Sequence, residues 1–313
     1  MSRSAILSAA LLLASCAGGP AATTPSPDPA IEEAAARAKA AADAPVDRNA
    51  LLLDLEHGML NYARALDNQG NMRSDRQAAA LDHYLRQTVA REYEWLKALA
   101  ADGEVPANQG IALAALGFSA KSEAMPLILQ GLNLADKRLV DRAVFGLAML
   151  RDPRTPVGPL AAIVEDSSYS EESRTQAAWT LYRLQGSGGK EEEIVDYWKN
   201  VLSRPPLTLP AGVVAMAVRG LGFARDPANA GLVAEKATHP VPWVRMMVAI
   251  ALGRMNAQDH ADVLISMLEP KETNANVRLA ARTALRGLAG GTDRGYEVEE
   301  WRKVFDRGDR NPK

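Results

Sequence analysis

The second half of the chain repeats a pattern of small and large apolar residues. Six leucines recur at intervals of 31 to 40 residues, each with Ala or Val four positions earlier and Ala, Gly or Thr immediately before it. Positions four apart share one helix face, so small side chains there let a neighbouring helix approach while leucine fills the space beyond. This period predicts a helical repeat array. The repeat leucines are Leu116, Leu147, Leu181, Leu221, Leu252 and Leu285.

A turn and a second apolar segment follow each repeat leucine. Asp152-Pro153 and Asp226-Pro227 mark two of these turns, because proline disfavours helical geometry in the residue before it. The pattern therefore predicts pairs of helices, and we expect the second helix of each pair to line the concave side of the array. The predicted second helices cover residues 125–132, 157–164, 192–202, 230–237, 261–268 and 297–305.

Residues 50–104 lack the small-residue pattern and predict two longer helices, at 50–66 and 74–100. We interpret them as an N-terminal cap, because an open end of a helical stack would expose apolar surface. The array itself is expected over residues 105–305. At its far end Trp301 and Phe305 are predicted to close the last layer, before a polar tail at 306–313.

Two segments carry a fuller version of the repeat. Residues 242–253 are PWVRMMVAIALG and residues 276–285 are NVRLAARTAL, with Val-Arg at the same place in both. They resemble the motif Val-Arg-x-x-Ala-Ala-x-Ala-Leu-Gly of the HEAT repeat family, which includes short bacterial repeats related to phycobilisome lyases. The resemblance implies an all-α solenoid of about six helical hairpins with an N-terminal helical cap. It is nearly silent on function.

The N-terminus has the pattern of an export signal. A cation, Arg3, precedes the apolar run 5–13, which is too short to span a bilayer. Residues 1–15 therefore predict a signal peptide. Its end, Leu13-Ala14-Ser15-Cys16, resembles the lipobox of bacterial lipoproteins. That resemblance implies cleavage before Cys16 and lipidation of its sulfur; the alternative is an ordinary secretory signal with a chance cysteine.

Residues 16–49 then predict a flexible tether that begins at the lipidated cysteine. The segment is rich in Ala and Pro and cannot bury a core. Ala17 is not the aspartate that retains lipoproteins in the inner membrane. The family rule therefore implies the cell envelope, with the periplasmic face of the outer membrane favoured.

Composition excludes several classes of function. The chain has 36 Lys and Arg against 38 Asp and Glu, so it lacks the cationic excess that displaces counterions from nucleic acid. We therefore expect no nucleic-acid partner. Cys16 is the single cysteine, which excludes a disulfide within the chain and a cysteine-based metal site elsewhere in it.

Histidines next to acids are the main candidates for chemistry. A di-iron hydroxylase of the HEAT repeat family uses His-Glu dipeptides as metal ligands. Here the order is reversed, so that activity does not carry over, and solvated or helix-capping side chains are the simpler interpretation. An enzyme would have to combine Asp82, His83, Asp259 and His260, which a solenoid should keep apart because its repeats contact only their neighbours. The pairs are Glu56-His57, Asp82-His83 and Asp259-His260.

The longest interval between repeat leucines contains an insertion at residues 186–210, which could be a binding loop or a hinge. Ser187 and Lys190 match the Ser-x-x-Lys pattern of penicillin-binding proteins, but the accompanying Ser-Asp-Asn and Lys-Thr-Gly motifs do not occur in the sequence. We interpret them as part of a turn. Among the tryptophans, Trp179 and Trp198 are predicted in the core and Trp243 partly exposed.

The sequence therefore predicts a lipid-anchored, non-catalytic scaffold that binds an unidentified protein or peptide at the envelope. No cofactor, metal or small-molecule substrate is expected, and the partner-binding residues are not assigned. Two alternatives stay open: a metal- or cofactor-dependent HEAT-repeat enzyme, and a structural protein that binds peptidoglycan.

Overall fold

The helices that carry the repeat leucines begin at capping side chains or at prolines. In a computed structural model, which describes residues 47–67 and 71–306, Asp136 and Ser170 each cap a helix. Their side-chain oxygens accept hydrogen bonds from the backbone N–H groups of Arg138 and Ser173 at 2.9 and 3.0 Å. Other first helices open with a proline, whose missing N–H would have no partner in a first turn.

Fifteen α-helices and no strand are present in the described part of the chain. Three helices come first: α1 (Arg48–Asp67), α2 (Met72–Arg91) and α3 (Tyr93–Ala101). The first helices of the repeats are α4 (Pro106–Leu116), α6 (Lys137–Leu150), α8 (Glu171–Leu184), α10 (Ala211–Ala224), α12 (Pro242–Arg254) and α14 (Ala275–Leu288). The second helices are α5 (Met125–Gly131), α7 (Val157–Glu165), α9 (Glu191–Leu202), α11 (Ala230–Ala234), α13 (Ala261–Ser266) and α15 (Val298–Phe305).

Helix packing confirms the predicted all-α solenoid. Each first helix packs against the next first helix, and each of α5, α7, α9, α11 and α13 packs against the first helix that follows it. The second helices begin within one residue of their predicted starts. Three of them end earlier than predicted, by one residue at Gly131 and by two or three residues at Ser266 and Ala234. After α11 the chain continues as a 3-10 turn, Glu235–Thr238.

The small residues of the repeat are buried and let neighbouring helices approach closely, as the sequence predicted. All six repeat leucines, and the small residue four positions before each, have no exposed surface. Close contact between backbones is clearest at Gly117, where a Cβ atom would lie 2.3 Å from the carbonyl oxygen of Gly146. A side chain at that position would hold α4 and α6 apart. Glycine and alanine therefore set the spacing of the stack.

The cap differs from the prediction, because residues 74–100 do not form one helix. The helix is interrupted at Glu92, whose φ and ψ are −101° and 16°, so that α2 ends at Arg91 and α3 begins at Tyr93. The break allows the two segments to bury their apolar faces against different neighbours. Helix α2 packs against the 3-10 turn Gly117–Ser119, whereas α3 packs along α4.

The far end of the array is closed as predicted. Trp301 is fully buried, its ring lies 6.2 Å from that of Phe305, and its Nε1 donates to the carbonyl of Gly295 at 3.0 Å. The signal peptide, the lipobox with Cys16 and most of the tether lie outside the described residues, as does the tail from 307. Among the helices of residues 47–67 and 71–306, none is long and apolar enough to cross a membrane.

Candidate binding groove

A groove of about 1150 Å³ lies along α6, α8, α10 and α12, and α1 also lines it. No residue of a second helix takes part in its lining. The first helices, and not the second helices that were expected to line the concave side, therefore form this groove. The reason lies in packing: the second helices are used to cover the neighbouring first helices. The opposite face of the first helices is left open.

Several residues that line the groove occupy fixed positions in the sequence relative to the repeat leucines. The positions two residues before and two residues after a repeat leucine are four apart, so they share a helix face. In three successive first helices these positions hold one arginine and one large apolar residue, and all of them line the groove. The pairs are Trp179 and Arg183 on α8, Arg219 and Phe223 on α10, and Ile250 and Arg254 on α12.

Aromatic side chains give the groove an accessible apolar surface. Phe223 is 42% exposed and Trp243 is 38% exposed. The ring of Tyr182 meets Phe223 edge to face, with 6.2 Å between their centres. The exposure of Trp243 and the burial of Trp198 confirm two predictions. The core position predicted for Trp179 is wrong, because its side chain is half-buried and lines the groove.

Two groove arginines are held by the protein itself. Arg183 Nε donates to the carbonyl of Ala148 at 2.8 Å, and the Arg183 carbonyl accepts from Arg151 Nε at 3.2 Å. The guanidinium of Arg183 also lies 5.1 Å from the ring of Trp179. Burial lowers the pKa of Arg183 from its ordinary value. These contacts fix the groove at the end where α6 and α8 terminate.

Arg219 and Arg254 are placed differently. The guanidinium of Arg219 lies over the ring of Tyr182, 4.4 Å from its centre. Within residues 47–67 and 71–306, no carboxylate forms an ion pair with either arginine. An arginine stacked on a ring keeps its N–H donors in the guanidinium plane, where a carboxylate of a partner can accept them.

Acidic residues line the groove in the N-terminal parts of α6 and α8, whereas the first turns of α10 and α12 contain no acidic residue. Glu171 and Glu172 occupy the first turn of α8 and line the groove. Asp141 lines it too, and burial raises the pKa of this carboxyl even though Ser173 Oγ donates to it at 3.0 Å. The groove therefore has an acidic edge at the N-terminal parts of α6 and α8, and a basic edge at the C-terminal parts of α6, α8, α10 and α12.

The residues considered for chemistry do not form a metal site in the described part of the chain. No group of three or more His, Cys, Asp or Glu side chains there could hold an ion. Asp82 pairs with Arg86 at 2.7 Å, His83 is exposed, and His260 lies close to Gly231 on α11. Asp259 lies inside a 3-10 turn rather than at the cap position.

The insertion at 186–210 contributes only Pro210 to the groove. Residues 204–209 instead line a small cavity of about 150 Å³ together with residues 235–236 and 238–240. Ser187 Oγ donates to the carbonyl of Leu184 at 2.6 Å, and Lys190 Nζ lies 3.2 Å from Glu193. Ser187 and Lys190 thus belong to the turn after α8, as predicted.

Comparison with known proteins agrees with this fold. Residues 210–286 match the family described as HEAT repeats. No curated protein matches the chain. An engineered protein of known structure is similar over 63% of this chain and 97% of its own, with 16% identity and a TM-score of 0.43.

Two natural proteins of known structure are also similar. The complex of CpcE and CpcF of phycocyanin lyase from Nostoc sp. PCC7120 matches over 68% of this chain and 93% of that chain, at 18% identity and a TM-score of 0.43. Human deoxyhypusine hydroxylase, in complex with glycerol, matches over 77% of this chain and 99% of its own, at 15% identity and a TM-score of 0.33. The protein described here is an all-α solenoid, and its residues 210–286 match the HEAT repeat family.

Proposed function

We propose that the protein is a lipid-anchored, non-catalytic scaffold whose groove binds an extended segment of a protein at the bacterial cell envelope. The groove along α6, α8, α10 and α12 carries this proposal. Its surface combines large apolar side chains with arginines, the residue types that are enriched at protein interfaces. Solenoids use such continuous surfaces, which several repeats build together, to hold elongated partners.

Photo-crosslinking in cells tests whether the groove is the binding surface. A photoreactive amino acid in place of Phe223 or Trp243 should give a discrete adduct with one protein. Val304 on α15 is the matched control, because it is also 38% exposed but does not line the groove. No adduct at either groove position, or the same adducts at all three, would refute the proposed function.

The lipid anchor rests on the lipobox resemblance at Leu13-Ala14-Ser15-Cys16. Acyl chains bind a bilayer with about 0.8 kcal/mol per buried methylene, and more than one chain is needed for stable attachment. We expect Cys16→Ser to move the protein from the membrane fraction to the soluble fraction, as measured by cell fractionation. Ser26→Ala in the tether is the control and should stay with the membrane; a membrane-bound Cys16→Ser protein would contradict the assignment.

Separate measurements distinguish the alternatives. Outer-membrane placement, which Ala17 favours, is tested by separating inner and outer membranes on a density gradient. Stoichiometric iron or zinc in the purified protein would favour the enzyme over the scaffold. Retention on purified sacculi would favour a protein that binds peptidoglycan.

A further inference from the structure

We propose that the groove recognises an extended acidic peptide with a carboxylate at every third position and apolar side chains between, and that Arg219 and Arg254 bind the carboxylates. This inference rests on the proposed function and specifies the chemistry of its partner. Both arginines line the groove without a carboxylate partner in the described residues. Arg245 and Arg282, by contrast, form short ion pairs with Glu272 and Asp293, both at 2.6 Å.

The arginines at the basic edge of the groove favour a partner that is negatively charged there. Four arginines line the groove within four residues of a repeat leucine: Arg151, Arg183, Arg219 and Arg254. Arg151 and Arg183 already donate to backbone carbonyls of the protein. Neither Arg219 nor Arg254 pairs with a carboxylate in the part of the chain that the structure describes, and planar guanidinium groups match carboxylates in a bidentate geometry.

The apolar residues determine the rest of the ligand. Phe223 lies one turn after Arg219 on α10, and Ile250 lies one turn before Arg254 on α12. Each arginine thus has a large apolar neighbour on the same helix face. A bound peptide would place a carboxylate on each arginine and an apolar side chain beside it.

The spacing of the stack sets the spacing of the carboxylates. Neighbouring packed helices lie about 8–10 Å apart. A peptide in the extended polyproline II conformation rises about 3.1 Å per residue and has three residues per turn, so side chains three residues apart lie on the same side. A chain that crosses from α10 to α12 therefore advances about three residues, so acidic residues at every third position fit two successive arginines.

Single-stranded nucleic acid also presents negative charge and stacking surfaces, but the groove fits it less well. Glu171, Glu172 and Asp141 line the same groove and would repel a continuous row of phosphates. A peptide can keep its carboxylates at the arginine edge and leave the acidic edge uncharged. We therefore assign the groove to a peptide.

Calorimetric titration of the full-length protein with synthetic peptides tests the assignment. The probe is a peptide of four Glu-Phe-Ala triplets, and its binding should weaken as salt is raised. A peptide with Gln in place of Glu should bind at least tenfold more weakly. An isomer with its four glutamates clustered at one end should also lose affinity. Equal binding of the Gln peptide or of the clustered isomer would overturn the proposal, as would tighter binding of a thymidine oligonucleotide.

Variants of the protein test whether Arg219 and Arg254 themselves bind the peptide. Arg219→Gln and Arg254→Gln should each weaken binding of the Glu-Phe-Ala peptide by about tenfold, since one lost charged hydrogen bond corresponds to about that factor. Arg76→Gln removes the same charge from the exposed surface of α2, outside the groove, and should bind like the wild type. An equal loss in Arg76→Gln would show that only net charge matters.

A charge exchange protects the test against a variant that simply misfolds. The double variant Arg219→Glu/Arg254→Glu should lose the Glu-Phe-Ala peptide and gain a peptide of four Lys-Phe-Ala triplets. A double variant that binds neither peptide would contradict the assignment of these two arginines. If crosslinking at Phe223 succeeds while every acidic peptide fails to bind, the groove is the binding surface and only the chemistry proposed for its partner is wrong.

Discussion

Gly220→Ala is expected to lower the free energy of unfolding by about 3 kcal/mol or more, although it adds a single methyl group. Gly220 stands immediately before the repeat leucine Leu221 on α10. A Cβ atom there would lie 2.3 Å from Trp198 Nε1 and 2.9 Å from Gln185 Oε1. Trp198 is fully buried on α9, so its ring cannot move aside into solvent.

The same methyl group would break a buried hydrogen-bond chain. Trp198 Nε1 donates to Gln185 Oε1 at 3.1 Å, and Gln185 Nε2 donates to the Gly220 carbonyl at 2.9 Å. Displacing the indole leaves buried polar groups without partners, which costs about 1–3 kcal/mol in addition to the steric strain. Denaturant unfolding followed by circular dichroism measures the sum.

Gly287→Ala on α14 is the matched control, because nothing lies within 4 Å of the added Cβ. It should be neutral or stabilise the helix by up to about 1 kcal/mol, as alanine does in place of a helical glycine. In the background of Trp198→Leu, the Gly220→Ala change should lose most of its effect, since the clashing ring is gone. Additive losses in that double variant would contradict the explanation.

Arg245→Met should destabilise the protein by about 3 kcal/mol at neutral pH, because it leaves a buried carboxylate without its partner. Arg245 binds Glu272 in a bidentate geometry, with contacts of 2.6 and 2.8 Å. The Glu272 side chain is 7% exposed. Arg245 Nη1 also donates to the carbonyls of His239 and Pro240, at 2.8 and 3.0 Å. One side chain thus connects α12 to the loop before it and to the loop between α13 and α14.

The loss of stability caused by Arg245→Met should become smaller as the pH falls. The hydrogen bonds from Arg245 lower the pKa of Glu272 from its ordinary value. A lowered pKa in the folded state means that the stabilisation is complete above the unfolded-state value, about 4.3, and disappears as the pH falls through the folded-state pKa. The difference between the wild type and Arg245→Met should therefore narrow below about pH 4.

Urea unfolding of both proteins between neutral and acidic pH measures this difference. Lys303→Ala is the control, because its partner Glu300 is on the surface, with side-chain exposures of 72% and 47% for the pair. Exposed pairs contribute little, so this variant should unfold like the wild type. A gap between wild type and Arg245→Met that stays constant across the pH range would show that the charge of Glu272 is not involved.

Local helix chemistry made much of the fold predictable. The repeat leucines and their small neighbours specify which helix faces meet, and Asp-Pro turns separate the two helices in two of the pairs. The starts of the second helices followed from these signals, because each depends on residues close in sequence. The ends of α11 and α13 did not, since helix ends depend on what the chain packs against next.

The break at Glu92 also escaped the sequence pattern. Residues 74–100 contain no proline or glycine, and their apolar spacing is compatible with one long helix. Only the packing of α2 on the turn at 117–119 and of α3 along α4 separates them. The contacts of α2 with residues 117–119 join positions that are distant in sequence. The residues around Glu92 therefore contain no local signal that predicts the break.

The candidate groove, too, could be predicted only in part from the sequence. The sequence alone determined an all-α repeat solenoid, because a helix buries the small-and-large face that its neighbours contact. The tertiary structure decided that the first helices, and not the second, leave a face open. It thereby placed the residues two positions before and after Leu181, Leu221 and Leu252 in the lining of the groove. Which helix face stays uncovered depends on how whole layers stack against one another. The sequence of a single helix does not determine this.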